Sequence, residues 1–141
     1  MIKAYVDGSC RGNGTKDSIS GYGFFIEMDG IKIYTESRRF KNNLTNNDAE
    51  YIALISAAQS IINLGKVYNI NEHDIVFYSD SQLVVNQVNG LWKVKEYKFE
   101  SYINKFKSIL STLIITPEVK WIKRELNEYA NYLAQSITEE S

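Results

Sequence analysis

An α/β fold, with a five-stranded mixed sheet flanked by helices, is predicted by three features of this chain. Three strand-like segments come first. After them, helix and strand patterns alternate. At the changeovers stand three acids: Asp7 closing a strand, Glu50 near the opening of a helix, and Asp80 closing another strand.

The elements follow from local pattern. Ile2 to Val6 alternates loosely and reads as a strand ending at Asp7. Gly21 to Met28 is aromatic and β-branched, and Asp29-Gly30 then marks a tight hairpin turn. Ile31 to Phe40 returns as the third strand, so the second and third strands are expected to be antiparallel. From Asp48 to Leu64 the chain is apolar nearly all round, which describes a helix buried against the sheet, with Gly65 ending it. Asp74 to Tyr78 is a short strand, and Ser81 to Asn89 a helix stopped by Gly90. Glu96 to Leu113 carries Tyr97, Tyr102, Ile103, Phe106, Ile109, Leu110 and Leu113 at helical spacing. Pro117 interrupts, Val119 to Ile122 is the last strand, and Asn127 to Thr138 closes the chain as a helix. In sheets of this kind ligands gather beyond the C-terminal ends of strands, where Asp7 and Asp80 fall.

Composition narrows the function class. The 141 residues are expected to form one domain spanning 1–141, with 44% apolar and 23% charged residues as in ordinary globular proteins. No stretch approaches ~18 uninterrupted apolar residues, so no membrane partner is expected. The first strand begins almost at the N-terminus and leaves no room for a signal peptide. The single cysteine, Cys10, excludes an internal disulfide and fits a cytoplasmic location. A net charge of −1 rules out a polycationic surface. Positive charge is local instead: Lys93, Lys95, Lys98, Lys105, Lys107, Lys120, Lys123 and Arg124 crowd the stretch from Trp92 to Arg124. They read either as solvated faces or as a phosphate-tracking surface.

Each acid has a plain structural reading. Asp7-Gly8 is turn chemistry, Glu50 suits a capping-box acid behind Asn47, and Asp80 lies in a possible box headed by Ser79. Gathered at strand ends, however, carboxylates repel one another, and a divalent cation relieves that repulsion. Oxygen ligands with no nearby Cys or His cluster select magnesium or manganese.

Four stretches then carry a resemblance over essentially the full length. They are Asp7-Gly8-Ser9-Cys10 with Gly12-Asn13 and Gly21-Tyr22-Gly23, Thr45-Asn46-Asn47 with Ala49-Glu50, Ser79-Asp80-Ser81-Gln82, and Trp121 with Arg124-Glu125, Asn127, Ala130, Leu133 and Ala134. The chain resembles the type I ribonucleases H, in the short form without a basic protrusion, because the span after Gly90 is too short for that insertion. The resemblance implies a ribonuclease H-like fold and endonucleolytic hydrolysis of the RNA strand of RNA/DNA hybrids. It implies two Mg²⁺ ions roughly 4 Å apart, with Mn²⁺ as a substitute, and products bearing a 5′-phosphate and a 3′-hydroxyl. By the same carry-over, Asp7 bridges the ions and Glu50 and Asp80 hold the leaving-group metal. Backbone groups around Gly8, Ser9, Cys10 and Asn13, the Glu50 carboxylate, and the side chains of Asn46, Asn47 and Gln82 match positions that read RNA 2′-hydroxyls. Thr45 matches a residue gripping a DNA-strand phosphate, with Asn43 where an Arg is common. Trp92 matches an aromatic set against the DNA sugar, or serves as a core or rim residue. Arg124 stands near the phosphate in a region where many relatives carry His.

The pattern departs at its fourth carboxylate. Asn131 stands where the family helix carries Asp. A neutral amide oxygen is a poorer ligand for a hard cation, so the expectation is weaker binding of the water-activating metal and better activity with Mn²⁺. The alternative function is a weakly active or non-catalytic hybrid-binding module. No obligate protein partner is evident, and a monomer is expected.

Overall fold

The structure, a computed structural model, describes residues 1–13, 16–41 and 44–139. Asn43, singled out above, lies outside the described residues. Five strands form one sheet in the order β3-β2-β1-β4-β5: β1 Ile2–Arg11, β2 Ile19–Met28, β3 Ile31–Lys41, β4 Ile75–Ser79 and β5 Glu118–Trp121. β1, β2 and β3 form the expected antiparallel meander, while β4 joins β1, and β5 joins β4, in parallel. The four α-helices are α1 Asn46–Leu64, α2 Gln82–Val88, α3 Tyr97–Leu110 and α4 Glu128–Glu139. No helix among the described residues is long and apolar enough to cross a membrane.

Period-two alternation sorts β1 between the two faces. Ile2, Ala4 and Val6 are fully buried and join Phe24, Ile26 and Phe77 beneath α1 and α3. α1 brings Tyr51, Leu54, Ala58 and Ile61 into this core, matching its all-round apolar sequence. On the opposite face Tyr5 stacks between Phe25 and Tyr78, at 4.7 and 5.0 Å between ring centroids. Tyr129 of α4 meets Phe25 edge-on, and the Lys32 ammonium sits 3.8 Å above the Tyr129 ring.

α4 can lie this close because β2 offers no side chain there. A methyl group at Gly23 would run into Leu133 and the Ala134 amide, and one at Gly21 into Ile137 and Thr138. Gly8 plays the same part on the other face, where a methyl group would strike the backbone of Ala49 and Glu50.

Three expectations about chain ends are corrected. β1 does not stop at Asp7. Its parallel pairing to β4 ends at Val6–Ser79, but antiparallel pairing with β2 carries it on to Arg11. α1 is capped by Thr45, not Asn47, and the reciprocal acid is Asp48, not Glu50: Thr45 N–H and Oγ1 both donate to Asp48 Oδ2 at 2.9 Å. Asp48 is fully buried and also receives Lys98 Nζ at 3.1 Å and Tyr102 Oη at 3.0 Å from α3. Burial alone would raise its carboxyl, but the bonds from Thr45, Lys98 and Tyr102 hold it below its ordinary value. The cap of α2 is Ser81, not Ser79; Ser81 Oγ accepts from Val84 N–H, and Ser79 Oγ accepts from Ser81 N–H.

The close contact at β2 is directly testable. Gly23→Ala should lower the unfolding free energy by roughly 1–3 kcal/mol in urea titrations, since α4 must shift to admit the methyl group. An unchanged midpoint would mean that α4 does not press on β2 as described.

Candidate metal and nucleic-acid site

Parallel pairing puts the middle of β1 beside the C-terminal end of β4. Asp7 and Asp80 each follow the last pair of the β1–β4 ladder, Val6 and Ser79. Glu50 arrives from above, in α1, whose backbone rests on the bare Gly8. Carboxylate oxygens of Asp7, Glu50 and Asp80 all lie within 4.8 Å of one another. Asp7 is 3% exposed and Glu50 9%, while Asp80 is half-buried.

Burial and repulsion leave their mark on protonation. Loss of solvent pushes Asp7 up to about 7, against relief from Glu50, with the Asp80 charge adding to the rise and Arg124 opposing it. Glu50 is raised well above its ordinary value, by burial first and then by the Asp7 charge and hydrogen bond and by Asp80. Glu50 Oε2 is buried with no hydrogen-bond partner. A hard divalent cation fits this set: three acidic oxygen donors in reach of one point, one of them buried and unpartnered.

Around the acids lies a polar cavity of about 430 Å³, lined by Asp7, Gly8, Ser9, Cys10, Asn46, Asn47, Glu50, Asp80, Ser81, Arg124 and Gln135. Most residues singled out from sequence thus meet here. Asn13 stands just outside, its Oδ1 accepting from Asn46 N–H at 2.7 Å. Cys10 Sγ donates to the Leu44 carbonyl at 3.3 Å, tying β1 to the segment before α1. Gln82 is exposed at the start of α2, while Thr45 sits at the cap of α1 with its hydroxyl proton on Asp48. Trp92 is 47% exposed in the segment joining α2 directly to α3, and it does not line this cavity.

Asn131 reaches the site from α4. Its Nδ2 donates to Asp80 Oδ2 at 3.1 Å and to the Asn127 carbonyl at 3.0 Å. The amide therefore turns its nitrogen, not its oxygen, to the acid. Sequence reasoning missed Ser81 and Gln135 as lining residues. Gln135 follows Asn131 by one helical turn, a spacing that could have revealed it. It also assigned no role to Trp121, whose Nε1–H donates to the Asp80 carbonyl at 3.2 Å.

The raised carboxyls set a pH dependence. Between the ordinary value of 3.8 and about 7, the folded metal-free protein holds more protons at Asp7 than the unfolded chain. That stabilising contribution is full at the acid end and is lost as pH rises through about 7. Melting midpoints measured in chelator should fall across this window, and Asp7→Asn should flatten the fall. Magnesium binding needs the ionised acids, so its affinity should rise over the same window by calorimetry. Midpoints that climb with pH in chelator would contradict this electrostatic account.

Known proteins show the same arrangement of chain and sheet. The reverse transcriptase-like family pattern matches residues 5–137. A ribonuclease H of Clostridium botulinum is 31% identical over 139 residues, covering 90% of this chain and 86% of that protein. An uncharacterized protein of Bacillus subtilis is 30% identical over 138 residues, 96% of this chain. The chain spans 58% of the length of that protein and 33% of mycobacterial relatives. Among solved structures, the LC11 ribonuclease H1, crystallised with an RNA/DNA hybrid, superimposes with a TM-score of 0.86 at 28% identity, covering 99% of this chain and 97% of its own. Sequence identity and fold together make the chain a member of the reverse transcriptase-like family and, within it, of the type 1 ribonucleases H.

Proposed function

We propose that this chain is an endonuclease that hydrolyses the RNA strand of RNA/DNA hybrids. The observation that carries the reading is the trio Asp7, Glu50 and Asp80, oxygens within 4.8 Å, at the floor of a polar cavity. These side chains would hold divalent cations, two Mg²⁺ in the reading favoured here, with Mn²⁺ able to replace them. Such ions, when bound, supply Lewis-acid activation of water and neutralise charge at the phosphate and the leaving 3′-oxygen, giving 5′-phosphate and 3′-hydroxyl ends.

The rest is the work of the chain's own residues. Burial of Asp7 and Glu50 keeps water from screening them, so cation binding draws their protons off. Arg124, on the cavity wall, offers a fork of N–H donors to a phosphate oxygen beside the acids. Asn46, Asn47 and Gln82 supply amides, each with a donor and an acceptor, which suits a ribose 2′-hydroxyl that is itself both. Asn13 steadies Asn46 through its main chain. No Ser/His or Cys/His pair lines the cavity, so water is the nucleophile in this scheme.

Labelled RNA/DNA hybrid, double-stranded RNA and double-stranded DNA, each incubated with Mg²⁺ and then Mn²⁺, test the proposal. Cleavage confined to the hybrid's RNA strand is expected. Asp7→Asn should abolish it while hybrid binding persists. A second reading, a hybrid-binding module without catalysis, is favoured by one observation: α4 supplies a neutral amide at Asn131 instead of a fourth acid. Binding without cutting in either metal would establish that reading. Cutting of DNA would overturn both.

A further inference from the structure

The main-chain ladder that joins β1 to β4 ends at Val6 and Ser79, one residue short of each acid. Beyond that point no β1–β4 pair ties Asp7 to Asp80 directly, and their charges push them apart. The gap is bridged from α4. Asn127, 1% exposed, donates Nδ2–H to the Val6 carbonyl at 2.9 Å. The Asn127 carbonyl accepts from Asn131 N–H and from Asn131 Nδ2–H, both at 3.0 Å. Asn131 Nδ2 then donates its second proton to Asp80 Oδ2 at 3.1 Å.

Both partners of that nitrogen are acceptors, so the amide has one sensible orientation. Turning it over would set its oxygen against a carbonyl and a carboxylate. The arrangement leaves Asn127 Oδ1 and Asn131 Oδ1 buried without a hydrogen-bond partner. Unpartnered buried acceptors are destabilising, so the two N–H contacts are held at the expense of local stability. An acid at position 131 could not make them.

We propose that Asn127 and Asn131 form a hydrogen-bonded strut from Val6 of β1 to Asp80 that fixes the spacing of the metal-binding acids. Asn131 is then a positioning residue, acting through Asp80 by its N–H instead of as a charged ligand. The inference rests on the cation reading of Asp7, Glu50 and Asp80, and it deepens that reading.

Calorimetric titration of the full chain with Mg²⁺, and separately with Mn²⁺, tests it without any cleavage assay. Asn127→Ala and Asn131→Ala should each weaken binding by about tenfold or more, as loss of ligand-orienting contacts does. The double variant should lose little beyond either single one, because the strut is already broken. Ile61→Val, in the core at the far end of α1, should keep the parent affinity although it too is destabilised, which separates positioning from general loss of stability. Should Asn127→Ala melt below the titration temperature in chelator, Asn127→Ser takes its place with the same expectation. Weakened binding in Asn131→Ala beside parent affinity at position 127 would make Asn131 a direct ligand and overturn the strut. Parent affinity in both variants would overturn it as well. Undiminished Mg²⁺ binding in Asp7→Asn would refute the cation site itself, a distinct failure.

Discussion

Repulsion among three buried acids is the constraint around which this molecule is arranged. Asp7, Glu50 and Asp80 come from three elements, and their oxygens lie within 4.8 Å although solvent is largely excluded from two of them. Held apart in water, each would ionise in the ordinary carboxylate range; held together, Asp7 is driven to about 7 and Glu50 well above its ordinary value. The fold must therefore oppose the repulsion with contacts of its own. It does so through a parallel β1–β4 ladder, a helix seated on Gly8, and hydrogen bonds reaching Asp80 from Asn131 and Trp121.

Rigidity at the start of α1 belongs to the same design. Glu50 is as well placed as the first turns of that helix, and those turns are pinned by the Thr45–Asp48 box. Lys98 and Tyr102 of α3 converge on the same Asp48 carboxylate, so a helix that lends no residue to the cavity wall still contributes to the placement of the acids. A buried acid with four donors around it is stable as an anion, and the lowered Asp48 carboxyl agrees. Two acids two residues apart in one helix are thus shifted in opposite directions. The difference lies in their partners, cations and donors for Asp48, other acids for Glu50.

Much of this was legible in the chain itself. The alternation in β1, the Asp29-Gly30 hairpin and the all-round apolar α1 identify their elements from local pattern, and all three appear as expected. Asp7, Glu50 and Asp80 were visible as acids at changeovers between strand and helix patterns, and they do converge. Element ends were less legible. Asn47 and Glu50 looked like a capping box because the spacing allowed it; Thr45 and Asp48 won because Asp48 is also wanted by α3. Asp7 looked like a strand end because turn residues follow it, yet β2 continues to pair with the strand beyond.

Local periodicity decided the number, type and order of elements, because burial of one face imposes a repeat that any window of residues displays. It decided too which side chains carry charge. What only the tertiary structure decided is who meets whom across the chain: Asn131 finds Asp80 from 51 residues away, and Asn127 finds the Val6 carbonyl from 121. The orientation of the Asn131 amide belongs to this second class, for an amide has a donor and an acceptor end. Which end faces the acid is settled only by the acceptors that folding sets around it.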